Sequence, residues 1–549
     1  MIWILSIITM SILGASDSNI SFSTKESYEI LFGANGPIHA TTHITNIIRN
    51  GSENLTENEI DNLSQIGLSY ENGEINTFTP VDLDQVFETE HFRFYFTYEG
   101  TDAVSDESYI YKMAEVFENV YSFYMDTLNF LAPVFDPALD DNRYEIYVEN
   151  LPSYYFGITY TKNAEVISPA CVSYIKMRNN YGGSQFSEHT EMENIQVTAV
   201  HEFFHAIQFS YNCYERFWFM EASAVWSEDE LYNDVNDHYR YIPSWFSSIN
   251  KSINNESSHM YGSFIFFQYI DEHLGGPNTI KLCWEKSNEM ASPVQDNSIT
   301  SINAALNDMG SSFEEAYLRM RIANRIMSPN AGIYSYEEAD GYRSAGGYPV
   351  EKDIFFQPGI NQSDSYQDLD LYESIYYSIH ATEPVEVELT PYGENLSLIS
   401  IIKLKDQDQW SIKSGNKINI DTEMETDWVS LLISALENGG SDWGFTIEFV
   451  DGYSEDFSMY RPYPNPSYGK PVSINIEIIR GQKISTTIYN VLGQTVWSST
   501  RVYSNSEVNN FVWDGINNRG KKVSSGLYIV KAVGKKKTLT DKFIFLKDQ

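Results

Sequence analysis

Residues 193–211 read ENIQVTAVHEFFHAIQFSY, and this stretch holds the pattern H-E-x-x-H as His201, Glu202 and His205. Residues four apart lie on one face of a helix, so the two imidazoles can hold one metal ion. Glu202 lies beside them and is placed to activate a water molecule as a general base. Apolar residues recur at helical spacing through the stretch, and Asn194 is a candidate cap near its start. The pattern therefore predicts a buried helix that carries a metal site.

A catalytic zinc ion needs three protein ligands and one open position. Glu221 is the candidate third ligand, because it lies among the aromatic residues of the next helix-like stretch. Glu228 follows seven residues later on the same face, where it is placed to accept a hydrogen bond from a ligand histidine. For Glu228, the sequence leaves open a second interpretation as the acidic, solvated end of a helix.

Residues 221–228, Glu-Ala-Ser-Ala-Val-Trp-Ser-Glu, resemble the gluzincin metallopeptidases, most closely the branch of aminopeptidase N and the leukotriene hydrolases. That branch carries Glu-Gly-Phe-Ala-x-Tyr-x-Glu, and its first Glu is the third zinc ligand. Ala222 and Ser223 depart from the family's Gly and Phe, and the 15 residues between His205 and Glu221 make a shorter gap than the branch usually shows. The resemblance implies an α+β zincin-like peptidase domain that binds Zn²⁺ and hydrolyses peptide bonds with zinc-activated water, with Glu202 as general base.

The same branch takes a tyrosine, from a Tyr-x-x-Gly-aromatic stretch, as a donor to the developing oxyanion. Here Tyr261 precedes Gly262 directly, so the register differs, and the helix-like run that follows ends in Gly275-Gly276-Pro277. The resemblance implies that Tyr261 is the catalytic donor, with His259 as its rival. An ordinary core tyrosine is the alternative that the sequence leaves open.

Strand patterns precede the metal helix. Alternating or apolar runs predict strands at 92–96, 144–148, 157–160 and 171–177, with a helix over 105–131. A helix, a mixed sheet and then a metal-bearing helix is the order typical of zincin peptidases, in which the last strand before that helix edges the cleft. We therefore expect the run with Val172, Tyr174 and Lys176 to be the edge strand that pairs with an extended peptide substrate.

Composition limits the partners of the 549-residue chain. Its formal net charge of −40 argues against binding to nucleic acid or to anionic membrane surfaces. The charge is uneven, because residues 461–549 hold 14 Lys+Arg and 5 Asp+Glu, whereas the rest of the chain holds 22 and 71.

Residues 1–16 are apolar with small residues at the end, which predicts a signal peptide. No other run approaches the length of a transmembrane segment, so we expect none in the mature form.

Residues 463–466, Tyr-Pro-Asn-Pro, open a C-terminal segment with several further motifs in order. These include residues 488–496 (IYNVLGQTV), residues 513–515 (WDG) and residues 523–530 (VSSGLYIV), followed by a lysine-rich final strand. The segment resembles the C-terminal sorting domains of the type IX secretion system, which have an immunoglobulin-like β-sandwich appearance. The resemblance implies handling by the type IX machinery and a secreted or cell-surface location.

These patterns predict a multidomain chain. After the signal peptide come residues 17–88, for which a removable propeptide and a leading subdomain both stay open; then a zincin-like domain at 89–340, a β-sandwich at 341–455 and the sorting domain at 456–549. The three cysteines allow at most one internal disulfide.

The predicted function is that of a secreted zinc-dependent metallopeptidase acting on peptides or proteins. The alternative is a non-catalytic surface binding or adhesion protein on a zincin scaffold.

Overall fold

The computed structural model describes most of the chain. The described residues are 22–33, 39–77, 83–139, 141–152, 154–162, 169–392, 396–422, 426–436, 443–452, 457–478, 482–503, 507–534 and 537–547. The predicted signal peptide lies outside them. Among the described residues, no helix has the length and apolar character needed to cross a membrane.

The described chain divides into two compact units. The first runs up to Val350 and also takes residues 370–374, and the second takes residues 351–369 and those from 375 onward. The predicted boundary at 340/341 thus falls ten residues later. The segment at 17–88 does not form a unit of its own, since its described part packs into the first unit, and the predicted sandwich and C-terminal module share the second.

The N-terminal segment, defined here as described residues 22–77, consists of three helices and a hairpin. Its elements are α1 (Thr24–Gly33), α2 (Thr41–Asn50), α3 (Glu57–Asn62), β1 (Leu68–Glu71) and β2 (Glu74–Thr77), the two strands pairing antiparallel. Ile44 and Ile47 of α2 are fully buried in an apolar cluster that also holds Tyr147, Tyr160 and Tyr174 from the following sheet. The segment is therefore joined to the sheet by a shared core.

That sheet has five strands: β3 (Gln85–Glu88), β4 (Phe92–Phe96), β5 (Tyr144–Glu149), β6 (Gly157–Thr161) and β7 (Ser173–Arg178). Their order across the sheet is β3-β4-β5-β7-β6, and β4, β5 and β7 run parallel. The crossover from β4 to β5 contains α4 (Glu107–Tyr121), which ends in a π-helical turn over Ser122–Thr127. The predicted strands and helix are thus all present, with boundaries shifted by a few residues.

The predicted edge strand is wrong. Val172 stands just before β7, and Tyr174 and Lys176 lie in β7, which pairs with β5 on one side and β6 on the other. One edge of the sheet is β3, and the edge strand next to β7 is β6, which runs antiparallel to β7. The error came from taking sequence order as spatial order, whereas the chain places β6 at the edge and returns inward to form β7.

Two long helices follow the sheet, α5 (Glu191–Tyr211) and α6 (Phe217–Tyr232), and both are buried around most of their circumference. Thr190, rather than Asn194, caps α5, because its side chain accepts a hydrogen bond from Glu193 N (3.3 Å) while Glu193 Oε2 accepts one from Thr190 N (2.7 Å). A disulfide joins Cys171, just before β7, to Cys213, just after α5.

The two phenylalanines inside the H-E-x-x-H pattern fix the rotation of α5. Phe203 meets the rings of Phe92 and Tyr144 at 5.4 and 5.8 Å on the sheet side. Phe204 meets the rings of Tyr124 and Trp226 at 5.3 and 5.9 Å on the side of α6. Because both flanks of the helix are anchored in apolar cores, the two histidines are held in one direction.

The first unit is completed by shorter helices: α7 (Ile242–Ser247), α8 (His259–Gly262), α9 (Phe264–His273), α10 (Pro277–Glu289), α11 (Ser298–Asp308), α12 (Phe313–Ile326) and α13 (Ala339–Ser344). Phe219 of α6 stacks on Phe267 of α9 and on Trp284 of α10, with ring centroids 5.3 and 4.4 Å apart. These helices therefore hold α6 against α5.

The second unit contains only strands among its described residues. Over 351–451 the strands are β8 (Glu351–Phe355), β9 (Gln362–Leu369), β10 (Ser374–His380), β11 (Val385–Pro391), β12 (Leu396–Leu404), β13 (Trp410–Ser414), β14 (Lys417–Ile420), β15 (Thr426–Ala435) and β16 (Trp443–Asp451). They form a five-stranded sheet (order β13-β12-β15-β10-β8) and a four-stranded one (β14-β11-β16-β9). Alternate residues of β11 are buried, as expected for a strand of a β-sandwich.

The C-terminal module is a second pair of sheets, with orders β17-β19-β22 and β18-β24-β23-β20-β21. One apolar cluster, which includes Ile474, Ile488, Trp513 and Phe543, joins the two sheets. The strands are β17 (Phe457–Met459), β18 (Ser467–Tyr468), β19 (Val472–Ile478), β20 (Gln482–Asn490), β21 (Thr495–Tyr503), β22 (Glu507–Trp513), β23 (Gly526–Val533) and β24 (Thr538–Leu546). The protein is thus of mixed α and β composition and multidomain, as predicted.

Candidate metal centre

Helices α5 and α6 bring the three predicted ligands together. His201 Nε2 lies 3.1 Å from His205 Nε2 and 3.3 Å from Glu221 Oε2, and His205 Nε2 lies 3.7 Å from Glu221 Oε1. All three side chains are 0% exposed. The structure therefore places the three residues around one point in the interior of the first unit.

The spacing of these donor atoms fits a tetrahedral metal ion. Zinc lies about 2.0–2.2 Å from nitrogen and oxygen ligands, which puts two ligand atoms of a tetrahedron about 3.3–3.6 Å apart. The separations of 3.1, 3.3 and 3.7 Å lie close to that range, although the two distances to Glu221 are measured to different carboxylate oxygens. The set of two imidazoles and one carboxylate is also the one found in several catalytic zinc sites.

The outer nitrogens of both histidines are already engaged. His201 Nδ1 donates to Glu228 Oε1 at 2.7 Å, and His205 Nδ1 donates to Gln208 Oε1 at 2.8 Å. The Gln208 side chain is fixed in turn, because its Nε2 donates to the carbonyl of Met220 at 2.8 Å. With Nδ1 carrying the proton in each ring, both Nε2 lone pairs point to the same place, as metal ligands require.

The site carries more negative charge than its surroundings compensate. Both oxygens of Glu221, Oε1 of Glu202 and Oε2 of Glu228 are buried without a hydrogen-bond partner. Within the described parts of the chain, no lysine or arginine forms an ion pair with these three carboxylates. Burial alone would lower the pKa of His201, but Glu221 and Glu228 raise it to about 10. The site thus attracts a cation, and a bound metal ion would replace that proton.

Glu202 faces the site from the side of β6. Its Oε2 accepts hydrogen bonds from Thr159 Oγ1 at 2.7 Å and from Thr41 Oγ1 at 2.8 Å. The strand comes close to α5 because residue 157 is glycine: a Cβ there would lie 3.0 Å from Glu202 Cγ and 2.7 Å from Thr198 Cγ2. The absence of a side chain at Gly157 lets the edge strand reach the carboxylate.

Tyr261 reaches the site and His259 does not. The Tyr261 hydroxyl donates to the backbone carbonyl of His39 at 3.1 Å, and its ring stacks on that of Tyr241. His259 instead stacks on Trp245, with ring centroids 4.4 Å apart. Of the two predicted donors, only Tyr261 contacts a group beside the metal ligands.

Sequence reasoning missed four residues of the site. Gln208 lies three residues after His205 on the same helical face, so its spacing was a usable signal. Thr159 lies in a predicted strand but carries no motif. His39 and Thr41 are separated from His201 by about 160 residues, and their proximity follows only from the fold.

Comparisons with known protein families match two separate parts of the chain. A family of unknown function (DUF6055) matches residues 87–312, less than half of the chain. The secretion system C-terminal sorting domain matches residues 461–546. The C-terminal module is a type IX sorting domain. The protein is therefore secreted or displayed on the cell surface, and the type IX machinery handles it.

No curated protein matches the chain. Similar solved structures include PorZ of Porphyromonas gingivalis (20% identity, 18% of this chain and 14% of that one, TM-score 0.13), dimeric latent PorU of the same organism (14% identity, 36% and 19%, TM-score 0.17) and a β-glucuronidase of Parabacteroides merdae (13% identity, 30% and 25%, TM-score 0.16). The chain spans a quarter or less of each of these structures. Likenesses at this level say nothing about function.

We predict that the wild-type chain binds one zinc ion and that Glu221→Gln weakens binding at least about 100-fold. Glu228→Gln should weaken it about 10–100-fold, the range for partners behind a metal ligand. A neutral amide is a poorer ligand and a poorer acceptor than a carboxylate. Zinc content and chelator competition measure both effects, with Glu230→Gln as the matched control on the same helix. Full zinc affinity in Glu221→Gln would place the third ligand elsewhere.

We predict that deletion of residues 456–549 blocks export in the native host without lowering the zinc content of the chain produced elsewhere. The ligands lie in the first unit and the sorting domain in the second. Fractionation of the native host and metal analysis of the recombinant chain test the two halves of the prediction. As the control, a reporter protein fused to residues 456–549 should be exported. Appearance of the truncated chain in the medium would contradict the prediction.

Proposed function

We propose that the first unit is a zinc metallopeptidase of the gluzincin type with a zincin-like fold. The observation that supports this most directly is the position of Glu202, whose carboxylate lies within 4.8 Å of a ring nitrogen of His201 and has one oxygen without a hydrogen-bond partner. A metal site that only stabilises the fold does not need a base next to its ligands. A hydrolytic site does.

In this proposal, His201, His205 and Glu221 hold the ion, and Glu228 and Gln208 orient the two imidazoles. Zinc, when bound, supplies a Lewis acid that polarises the scissile carbonyl and acidifies water. Glu202 takes the proton from the attacking water and later delivers it to the leaving amine. The Tyr261 hydroxyl donates to the oxygen that becomes negative, as it donates to a carbonyl in the structure.

The substrate side of the proposal follows from β6. This edge strand lies beside Glu202, and its Thr159 N–H points away from β7 to a partner outside the sheet, the hydroxyl of Thr41. An extended peptide can pair with such an edge through its backbone. Because the protein is secreted or displayed on the surface, its substrates would be extracellular peptides or proteins.

A non-catalytic surface protein is the competing function, and one observation favours it. The three ligands and Glu202 are 0% exposed, as in a purely structural metal site. Glu202 and Tyr261 have no evident purpose in such a site, however. Thr41 and His39 of the N-terminal segment contact Glu202 and Tyr261, so the effect of removing that segment can be tested separately. Hydrolysis must therefore be measured on the full chain and after cleavage by a site-specific protease at a recognition sequence placed immediately before Leu83.

We predict that Glu202→Gln keeps zinc and loses peptide hydrolysis by about 10²–10⁴-fold, because only the proton acceptor is removed. Digestion of a peptide library measures the rate, and metal analysis confirms loading. Glu193→Gln, in the capping box of the same helix, is the matched control, since glutamine also suits that position. Zinc-loaded wild type that hydrolyses nothing in either form of the chain would favour the binding protein.

A further inference from the structure

The candidate site is closed by the chain's own N-terminal segment. Residues of this segment contact the site at Glu202, His201 and Tyr261, and the four central side chains have no solvent access. No substrate can enter a hydrolytic site in this state. The contacts themselves show how the closure is achieved.

The first contact involves the carbonyl of His39. It accepts the hydrogen bond of the Tyr261 hydroxyl at 3.1 Å. Tyr261 is the group that the proposed function assigns to the carbonyl oxygen of the substrate. The His39 carbonyl therefore takes the place that a scissile carbonyl would take.

The second contact involves the hydroxyl of Thr41. It donates to Glu202 Oε2 at 2.8 Å and accepts from the backbone N–H of Thr159 in β6, also at 2.8 Å. One hydroxyl thus occupies an oxygen of the proposed base and the free hydrogen-bonding edge of β6. Both are positions that water and a substrate backbone would need.

The third contact involves the ring of His39, which stacks on the ring of His201 with centroids 3.7 Å apart and an angle of 26° between the planes. Because the rings are nearly parallel, the lone pairs of His39 lie in a plane displaced from that of His201. Both ring nitrogens of His39 are buried without a partner. The side chain therefore covers His201, and one of its own nitrogens lies within 4.8 Å of potential ligand atoms of His201 and Glu202.

We propose that residues 39–42 occupy the substrate cleft as a built-in inhibitor, with the His39 carbonyl in the position of the scissile carbonyl, and that hydrolysis requires the N-terminal segment to leave. This inference rests on the proposed peptidase function. Of the two alternatives left open by the sequence, it favours a removable propeptide over a permanent leading subdomain. In agreement with this assignment, the family match begins at residue 87, after the segment.

The apolar contacts explain how the segment stays in place. Ile44 and Ile47 of α2 are fully buried against the aromatic side chains of the sheet, while the unpartnered His39 ring opposes docking. Cleavage before Leu83 would turn an intramolecular contact into a dissociable one. The effective concentration that favours the closed state would then be lost.

The test compares the intact chain with the chain cleaved before Leu83, using two independent measurements. The first is peptide-library hydrolysis by zinc-loaded protein. The second is the rate at which diethylpyrocarbonate modifies His201 and His205 in metal-free protein, read by mass spectrometry, which needs neither metal nor activity. Exposed His380 serves as the internal reference, and buried His238 shows whether the first unit stays folded.

We expect both rates to rise at least about tenfold on cleavage, as they would if fewer than about one intact chain in ten is open. Modification of His238 should stay slow. If mass spectrometry shows that the cleaved segment remains bound, Ile44→Asp is added to release it, with Ile44→Val as the control that keeps the packing. Full-length Thr41→Val should raise the modification rate more than Thr45→Val, its matched partner one turn along α2.

The outcomes separate the two proposals. Faster modification of His201 and His205 without hydrolysis would support the proposal that the N-terminal segment closes the site, and it would contradict the proposed peptidase function. Equal hydrolysis before and after release of the segment, with unchanged modification rates, would contradict the proposal that the segment closes the site and would support the peptidase function. No change in either measurement after the segment has left, with no hydrolysis, would overturn both.

Discussion

The burial of three carboxylates and two imidazoles between α5 and α6 is the constraint on which the first unit depends. Each ionised group removed from water loses several kcal/mol of solvation unless a partner replaces it. Glu228 and Gln208 satisfy the outer nitrogens of the histidines, but both oxygens of Glu221 lack hydrogen-bond partners. The site therefore has the charge that a divalent cation, as in the proposed function, would compensate.

The aromatic shell makes the arrangement rigid. Phe203 and Phe204 point in directions about 100° apart around α5, one into the sheet core and one toward α6. A rotation of the helix would remove both rings from close-packed surroundings, at a cost of several kcal/mol by comparison with large-to-small core substitutions. The two phenylalanines between the histidines thus fix the direction in which the histidines point.

The sequence predicted the parts of the site that are close together along the chain, because neighbouring residues share one rigid element. For Glu228, left open between a partner of a ligand histidine and a solvated carboxylate, burial and the 2.7 Å contact with His201 exclude the solvated carboxylate. The edge strand was misassigned because strand order depends on which hydrogen bonds form across the sheet, and local patterns carry no register. The contacts of His39 and Thr41 join parts of the chain about 160 residues apart, and neither residue belongs to a motif. The sequence therefore set residues 17–88 apart from the H-E-x-x-H stretch without showing that His39 and Thr41 reach the candidate site.

The candidate site and the sorting domain lie in different units of the chain. The candidate metal ligands and the N-terminal segment belong to the first unit, whereas the type IX sorting domain belongs to the second and is net positive, in contrast to the net negative remainder of the chain. Removal of the cover does not require removal of the sorting domain, since no part of either lies in the other's unit. In the proposed mechanism, a chain can therefore be exported while its site is still closed, and the loss of the N-terminal segment, rather than export itself, exposes Glu202 and its neighbours to substrate.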